Sequence, residues 1–339
     1  MSDLAANLRF LDDRRLPAIL TPAGAGLPDA SGDSLGHLLD SRRDELTAIR
    51  HRHGAILFRD FAIGGPEDFA RLAEHHFGGP AAPYVGGTSP RRAVAGNIYE
   101  STRFPHRLRL PQHNEMSYLP DPPREILFFC EAPPERGGET PLADSRLLYG
   151  GLPAELRSRF EARGVRYSRH YLGRRWSPVH PAAAASGIHR SWPEAFGTED
   201  RDIVEEQCRS AGLEVRWDRF DAARVSNRLP ATALHPVTGE TVWFNQAAAL
   251  MPTPRSQGLL RFLLYHLAYP DPGNRPFHVT FGDGGAIPRR DLERIQETTD
   301  RLTVAFPWRR GDLLLVDNFL VSHGRMPFSG QRRILVAMK

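Results

Sequence analysis

Hydrophobic and polar positions along this chain follow two periods, which predict a mixture of helices and strands. Apolar residues at helical spacing predict helices over 35–53, 67–77, 144–164, 202–212 and 290–302. Short apolar runs between turn-forming residues predict strands at 54–61, 125–130, 303–308, 312–316, 319–323 and 333–338. A Thr-Gly turn between apolar runs predicts a hairpin over 232–245, and residues 258–269 are apolar enough for a buried helix. Residues 1–34 are expected to be an irregular lead-in.

The number of short strands and turns predicts a mainly β protein with flanking helices. The core that suits this pattern is a double-stranded β-helix, the jelly-roll barrel of cupin-like proteins. Because no linker, internal repeat or low-complexity segment divides the 339 residues, we expect a single domain over 1–339. Residues 165–230 lack regular periodicity, and a stretch of this length predicts a lid or an insertion rather than a structureless loop.

Composition adds little about partners. The chain is 40% hydrophobic and 25% charged, which is ordinary for a globular protein, and its formal charge is +4. The positive charge is scattered arginine, since Lys339 is the only lysine, so we expect no nucleic-acid partner. Cys130 and Cys208 are too few for a disulfide framework. With neither a signal peptide nor a long apolar run read from the sequence, we expect a cytoplasmic protein without a membrane partner.

A His-x-Glu sequence supplies the first candidate site. His113 and Glu115 lie two residues apart, so on extended backbone their side chains point to the same face. A third candidate ligand, His323, follows an apolar strand far downstream. Two histidines and one carboxylate on one face of a metal are typical of non-haem Fe(II) oxygenases. On these residues alone, a pair of structural histidines is an equally good interpretation.

Thr140 and Arg333 form a second candidate site. Arg333 begins an apolar strand, so its guanidinium could point inward and bind a carboxylate through two hydrogen bonds, with a Thr hydroxyl beside it. Arg332 should then face the opposite way. The alternative is an arginine at a strand end with its charge in solvent and a threonine in a turn.

Five stretches together resemble the TauD/TfdA family of Fe(II)/2-oxoglutarate-dependent dioxygenases, and most of all its SyrP-like and clavaminate-synthase-like branch. The resemblance runs from about Gly54 to Met338. The matching stretches are His-Asn-Glu-Met-Ser-Tyr (113–118), Gly-Gly-Glu-Thr-Pro-Leu-Ala-Asp-Ser-Arg (137–146), His-Pro-Val-Thr-Gly-Glu-Thr-Val-Trp-Phe-Asn-Gln (235–246), Gly-Asp-Leu-Leu-Leu-Val-Asp-Asn (311–318), and residues 323–338 from His-Gly-Arg to Val-Ala-Met.

The resemblance implies a role for each candidate residue. His113, Glu115 and His323 would bind Fe(II), and Thr140 and Arg333 would hold the distal carboxylate of 2-oxoglutarate, with O2 as the other co-substrate. The implied reaction is hydroxylation of an unactivated carbon. SyrP-like relatives imply the β-carbon of an amino acid, free or tethered to a carrier protein, in natural-product biosynthesis. Alternatives are a desaturase or cyclase on a similar substrate, a non-catalytic metabolite-binding barrel, and a zinc hydrolase.

Two departures from the family pattern narrow the substrate. Ala337 stands where the taurine enzyme has a sulfonate-binding arginine, which disfavours sulfonates as substrates. Position 115 holds Glu where the taurine enzyme has Asp. Because either residue supplies a carboxylate to the iron, a bound chloride has no evident place, and halogenation is disfavoured. The loop at 84–102, the segment 165–195 and Arg325 are candidates for shaping the substrate pocket, with a purely structural role as the open alternative.

Overall fold

The computed structural model describes residues 3–82, 92–101, 104–173 and 189–339. Over these ranges the helices are α1 Asp3–Ala6, α2 Gly32–Ser41, α3 Arg43–His53, α4 Pro66–Phe77, α5 Ser145–Gly151, α6 Ala154–Arg163, α7 Trp192–Phe196, α8 Arg201–Ser210, α9 Ala247–Leu250, α10 Pro254–Gln257, α11 Leu259–Ala268 and α12 Arg289–Leu302. The strands are β1 Ala18–Leu20, β2 Ala55–Phe58, β3 Ala93–Ala95, β4 Ile98–Glu100, β5 Leu110–His113, β6 Glu125–Ala132, β7 Arg136–Gly137, β8 Thr140–Asp144, β9 Val165–Tyr171, β10 Glu214–Trp217, β11 Ala223–Leu229, β12 Thr232–Leu234, β13 Thr241–Trp243, β14 Phe277–Phe281, β15 Val304–Phe306, β16 Leu313–Asp317, β17 Val321–Arg325, β18 Phe328–Ser329 and β19 Arg333–Met338.

A seven-stranded sheet in the order β1-β2-β16-β6-β19-β4-β3 forms the larger layer of the core. Its central strands are continuously apolar because both faces are buried. Along β16, Leu313 and Leu315 pack with α2, α3 and α4, whereas Leu314 and Val316 pack on the opposite face with residues of a second sheet. The predicted strands at 312–316 and 333–338 are therefore confirmed, and their unbroken apolar runs reflect this double burial.

The second sheet has the order β15-β8-β17-β5 and carries the candidate site residues. β17 lies between β8 and β5 and is antiparallel to both. His113 lies on β5, Thr140 on β8 and His323 on β17. Apolar residues of this sheet, among them Leu142 and Phe306, pack with β6, β16 and β19 of the larger sheet. The coarse prediction of a mainly β core with flanking helices is confirmed.

The stretch 165–230 contributes β9, β10 and β11 to a third sheet in the order β10-β11-β9-β14. α7 and α8 pack on it through Trp192, Val204 and Cys208. The described part of this stretch is thus ordered secondary structure with its own small core. Residues 174–188 lie outside the described residues, so a lid in this region stays a prediction.

Three local predictions were wrong. The helix expected over 35–53 is two helices, because the backbone of Arg42 leaves the helical region (φ −119°, ψ 27°) between α2 and α3. The lead-in contains β1, which pairs in parallel with β2. The helix at 258–269 forms as α11 but none of its residues is buried. Its exposed apolar side chains are Leu259, Leu260, Leu263, Leu264 and Leu267.

A buried ion pair joins β2 to the turn before β16. The Arg59 guanidinium donates to both Asp312 carboxylate oxygens, over 3.0 Å and 2.7 Å. Asp312 is 1% exposed and Arg59 is 7% exposed. Such a pair is costly to break, because removing one partner leaves the other charge buried and uncompensated. Across the described ranges, no helix is both long and apolar enough to cross a membrane.

We expect Asp312→Asn to lower the free energy of unfolding by about 3 kcal/mol, because Arg59 would remain buried without its counter-ion. Urea denaturation followed by circular dichroism measures this change. The matched control is Asp283→Asn, which breaks the Arg163–Asp283 pair and should cost far less, because water screens that exposed pair. Equal losses in the two variants would contradict the prediction.

Candidate active site

Strand pairing brings the three predicted metal ligands together. His113 and His323 are register partners across β5 and β17. Glu115 follows β5 by two residues, and its Oε2 lies 3.6 Å from His323 Nε2 and 4.0 Å from His113 Nε2. One ligand atom of each residue lies within 4.8 Å of the other two. The structure therefore gathers, at one point on the second sheet, residues that are 210 positions apart in the chain.

The imidazoles are oriented for a metal rather than for each other. His113 Nδ1 lies 2.9 Å from the Pro111 carbonyl, which can only accept, so Nδ1 carries the hydrogen and Nε2 keeps its lone pair. His323 Nδ1 is buried, and no residue in the described part of the chain hydrogen-bonds to it. The His323 ring packs edge-on against Phe128, with centroids 5.0 Å apart. Two imidazole nitrogens and a buried carboxylate fit the donor set of a facial Fe(II) site.

Asn318 holds the backbone that carries Glu115. Its side-chain oxygen accepts from the Glu115 N–H over 2.6 Å, and its amide nitrogen donates to the Glu115 carbonyl over 2.9 Å. The same nitrogen donates to the Pro123 carbonyl over 2.7 Å. Met116, the next residue, has a φ of 54°, a backbone angle that residues other than glycine rarely adopt. Fully buried Asn318 thus fixes a turn that would otherwise be unfavourable.

Further amides extend this support. Asn114 donates to the Asn318 carbonyl over 2.7 Å, and Gln246 donates to the Asn114 carbonyl over 2.7 Å. The Gln246 N–H in turn donates to the buried Tyr167 hydroxyl over 2.9 Å. Sequence analysis did not single out these positioning residues. The sequence does carry a signal for such a residue at Asn318, which is a polar residue placed just after the apolar run of β16.

A small cavity opens beside the three ligands and contains the predicted Thr140. Its lining also includes Phe128, Ile334, Val336, Arg325 and Arg332. The Trp308 indole donates to Thr140 Oγ1 over 3.0 Å. Because that hydroxyl oxygen already accepts from Trp308, its own hydrogen can be donated to a molecule in the cavity.

Arg332, not Arg333, lines this cavity. The Arg333 guanidinium lies 2.7 Å from the Glu131 carboxylate and 3.6 Å from that of Glu100. The register between β19 and β6 shifts at Arg333 and Ile334, where one residue of β6 is skipped. From there Ile334 and Val336 face the cavity, while Leu335 and Ala337 face the other core. The two arginines do face opposite ways, but the inward one is Arg332.

Arg325 and Arg332 both line the cavity and bring positive charge to it. Burial, with Arg325 nearby, lowers the pKa of Arg332 to about 10, so it remains charged at neutral pH. Arg332 Nε donates to the Gly138 carbonyl over 3.1 Å. Arg325 donates to the carbonyls of Phe104, Pro105 and Leu108. These hydrogen-bond partners are neutral, whereas the carboxylates of Glu115, in the same lining, and of Glu139, whose charge favours protonated Arg332, offset part of the positive charge.

A second group of possible ligands, His51, His235 and Asp317, is already satisfied as a hydrogen-bonded network. His235 Nδ1 accepts from the Thr238 N–H over 2.9 Å, so its Nε2 carries the hydrogen that points to Asp317 Oδ2, 3.1 Å away. The Arg50 guanidinium lies 3.6 Å from the same oxygen. A protonated Nε2 and an adjacent cation both oppose metal binding, so we interpret this group as structural.

Comparison with known proteins identifies the family of this chain. The profile described as "Taurine catabolism dioxygenase TauD, TfdA family" matches residues 17–338.

The chain belongs to the TauD/TfdA family.

As a member of this family, the protein is an Fe(II)/2-oxoglutarate-dependent dioxygenase, with 2-oxoglutarate and O2 as co-substrates. It is 30% identical over 337 residues to a clavaminate synthase-like protein of Arabidopsis thaliana, covering 97% of this chain and 95% of that protein. It is 32% identical over 294 residues to the dapdiamide synthesis protein DdaC of Enterobacter agglomerans, covering 86% and 83%.

The TauD/TfdA fold also appears among solved structures. The chain is similar to the PvcB protein from Pseudomonas aeruginosa with a TM-score of 0.53 and 16% identity, covering 100% of this chain and 92% of that one. A second PvcB structure, described as an Fe, alpha-ketoglutarate dependent oxygenase from an isonitrile synthetic pathway, gives a TM-score of 0.54 at 16% identity, covering 100% and 93%. At this identity the likeness supports the fold.

We expect Glu115→Ala to abolish iron-dependent turnover while the fold is retained, because it removes the only anionic donor among the three ligands. Succinate formation measures turnover, and metal content after anaerobic Fe(II) loading measures iron binding. The circular dichroism spectrum reports whether the fold is retained. Glu214→Ala, at an exposed carboxylate on β10, is the control and should bind iron normally. Full turnover by Glu115→Ala would disprove the assignment of the ligand.

We expect Asn318→Ala to weaken Fe(II) binding by about 10- to 100-fold, because the Glu115 backbone loses its partners. Anaerobic Fe(II) titration gives the affinity, and urea denaturation gives the stability. The control is Asn227→Ala, another buried asparagine, which donates to the Tyr118 carbonyl over 2.8 Å. Both variants should lose stability, but only Asn318→Ala should lose iron affinity. Unchanged iron affinity in Asn318→Ala would mean that Asn318 has only a structural role.

Proposed function

We propose that this enzyme hydroxylates an unactivated carbon, the β-carbon being our first choice, of an amino acid or amino-acid-derived intermediate in natural-product biosynthesis. The gathering of His113, Glu115 and His323 beside a cationic cavity is the observation that carries the proposal. Support for the substrate class comes from similarity to DdaC, a dapdiamide synthesis protein. Whether the substrate is free or tethered to a carrier protein is part of the proposal's test.

We assign the three gathered side chains as the iron ligands. Bound there, Fe(II) would supply the open positions at which 2-oxoglutarate and O2 react. The chain's own contribution is to hold the ligands rigidly, through the Asn318 amide and the Pro111 carbonyl, and to surround them with apolar residues such as Phe128. Together with the larger sheet, we infer, the second sheet forms the double-stranded β-helix of a single domain.

Arg332 and Thr140 are the anchor that we propose for the distal carboxylate of 2-oxoglutarate. This replaces Arg333 as the expected arginine, because Arg333 is neutralised by Glu131 outside the cavity. Arg332 faces the cavity, keeps its charge and has no carboxylate partner in the described ranges. The residues that could lie near it outside those ranges include no Asp or Glu. A carboxylate of 2-oxoglutarate would therefore form a charge-assisted hydrogen bond with the Arg332 guanidinium, which otherwise donates to neutral groups.

Iron and 2-oxoglutarate binding can be tested before the substrate is known. The first experiment is an anaerobic titration with Fe(II) and 2-oxoglutarate, followed by the visible charge-transfer band of the chelate. Oxygen and a panel of free and carrier-bound amino acids are then added, and succinate and hydroxylated product are measured. Desaturated or cyclised product would select the alternative outcome of the same chemistry. Absence of the band would favour the non-catalytic barrel.

We expect Arg332→Gln to raise the KM for 2-oxoglutarate by at least about tenfold, since a charge-assisted anchor contributes roughly 1.5–3 kcal/mol. Arg333→Gln is the matched neighbour and should change this KM less than about threefold. Succinate formation at varied 2-oxoglutarate concentration measures both values. The reverse order of effects would return the anchor to Arg333.

A further inference from the structure

A second and larger cavity adjoins the iron site. It has a volume of about 180 Å³ and shares His113 with the cavity that contains Arg332. Asn114 and Ser322, which also line it, directly precede the ligands Glu115 and His323. This cavity therefore approaches the metal ligands from a different direction than the space assigned to 2-oxoglutarate.

Apart from one group of charged residues, the walls of this cavity are apolar or neutral. Pro111, Leu148, Trp243, Ala248 and Ile295 provide the apolar surface. The neutral polar groups are held in place by the protein itself. Asn245 donates to the Ala231 carbonyl, and Gln296 donates to the Ala248 carbonyl, each over 2.8 Å. Such a surface suits an organic molecule of moderate size with few charges.

The charged residues of the cavity are two arginines that share one carboxylate. Arg109 and Arg255 lie 2.8 Å and 2.9 Å from the Asp300 carboxylate. The group therefore has one positive charge in excess. Arg109 Nε is buried and has no hydrogen-bond partner among the described residues. A carboxylate entering the cavity would complete the hydrogen bonding and neutralise the excess charge.

The described lining residues offer no unshared carboxylate to an ammonium group. Asp300 is the only carboxylate among the described lining residues, and both arginines already occupy it. The stretches outside the described ranges, 1–2, 83–91, 102–103 and 174–188, contain no Asp or Glu. They cannot supply a counter-ion, wherever they lie. Burying an unpaired ammonium here would carry a large desolvation cost.

We infer that this cavity binds the primary substrate through a substrate carboxylate at Arg109 and Arg255, and that the substrate's nitrogen is acylated and uncharged rather than a free ammonium. The inference rests on the proposed function and narrows its substrate class. Free, zwitterionic amino acids would bind weakly, because only one of their two charges has a partner. N-acylated amino acids with a free carboxylate match the cavity at both ends.

Calorimetric titration of the anaerobic Fe(II)- and 2-oxoglutarate-loaded enzyme tests this inference. The probes are N-acetyl-L-amino acids with apolar side chains, the same amino acids without the acetyl group, and the same N-acetyl compounds as amides. We expect the N-acetyl acids to bind at least about tenfold more tightly than either of the other two series. Equal affinity, tighter binding of free amino acids, or no binding of any N-acetyl acid would overturn the inference.

Variants of the two arginines test whether they bind the substrate carboxylate. Arg109→Gln and Arg255→Gln should each reduce the preference for the N-acetyl acid over its amide by about tenfold. Arg289→Gln removes the same positive charge from the exposed start of α12, where it lies 3.8 Å from Glu293, and should leave the preference unchanged. A preference that survives both arginine variants would overturn the site. The charge-transfer band of the same loaded samples tests the proposed function separately, so the two failures are distinguishable.

Discussion

The pairing of β5 with β17 is the interaction on which the site depends. It sets His113 opposite His323, and β17 pairs on its other edge with β8, which begins at Thr140. Asn318, in the turn between β16 and β17, then reaches back to the Glu115 backbone. One strand and the turn before it therefore determine the relative positions of all three proposed iron ligands. The larger sheet contributes by holding this strand in place through a shared apolar core.

Patterns with a strict period were predictable from sequence, and patterns with an interruption were not. The unbroken apolar run of β16 and the His-x-Glu spacing follow directly from strand geometry. The inward face of β19 could not be found this way, because the register shift at Arg333 reverses which of two adjacent arginines enters the cavity. The role of Asn318 depends on a contact across 203 residues, which no local pattern reports. α11 has the composition of a buried helix but lies at the surface.

Arginine has two different roles in this structure, distinguished by its partners. Arg59 and Arg333 are neutralised by carboxylates and serve the fold. Within the described residues, Arg332 and Arg325 donate hydrogen bonds only to neutral groups, and Arg109 and Arg255 share one carboxylate. Because charges interact strongly where water is largely excluded, the second kind creates positive potential on both sides of His113. An arginine-rich composition thus gives little information until each guanidinium is assigned its partner.

The separation of the ligands along the chain also determines when iron can bind. No local segment contains the site, since residues 113 and 323 meet only after most of the core strands have paired. A chain in synthesis would expose His113 and Glu115 long before their third partner exists, and two ligands alone hold a metal weakly. With the proposed ligands, iron would therefore bind only after β5 and β17 have paired. A metal that binds only the folded chain would then also stabilise the finished β5–β17 pairing.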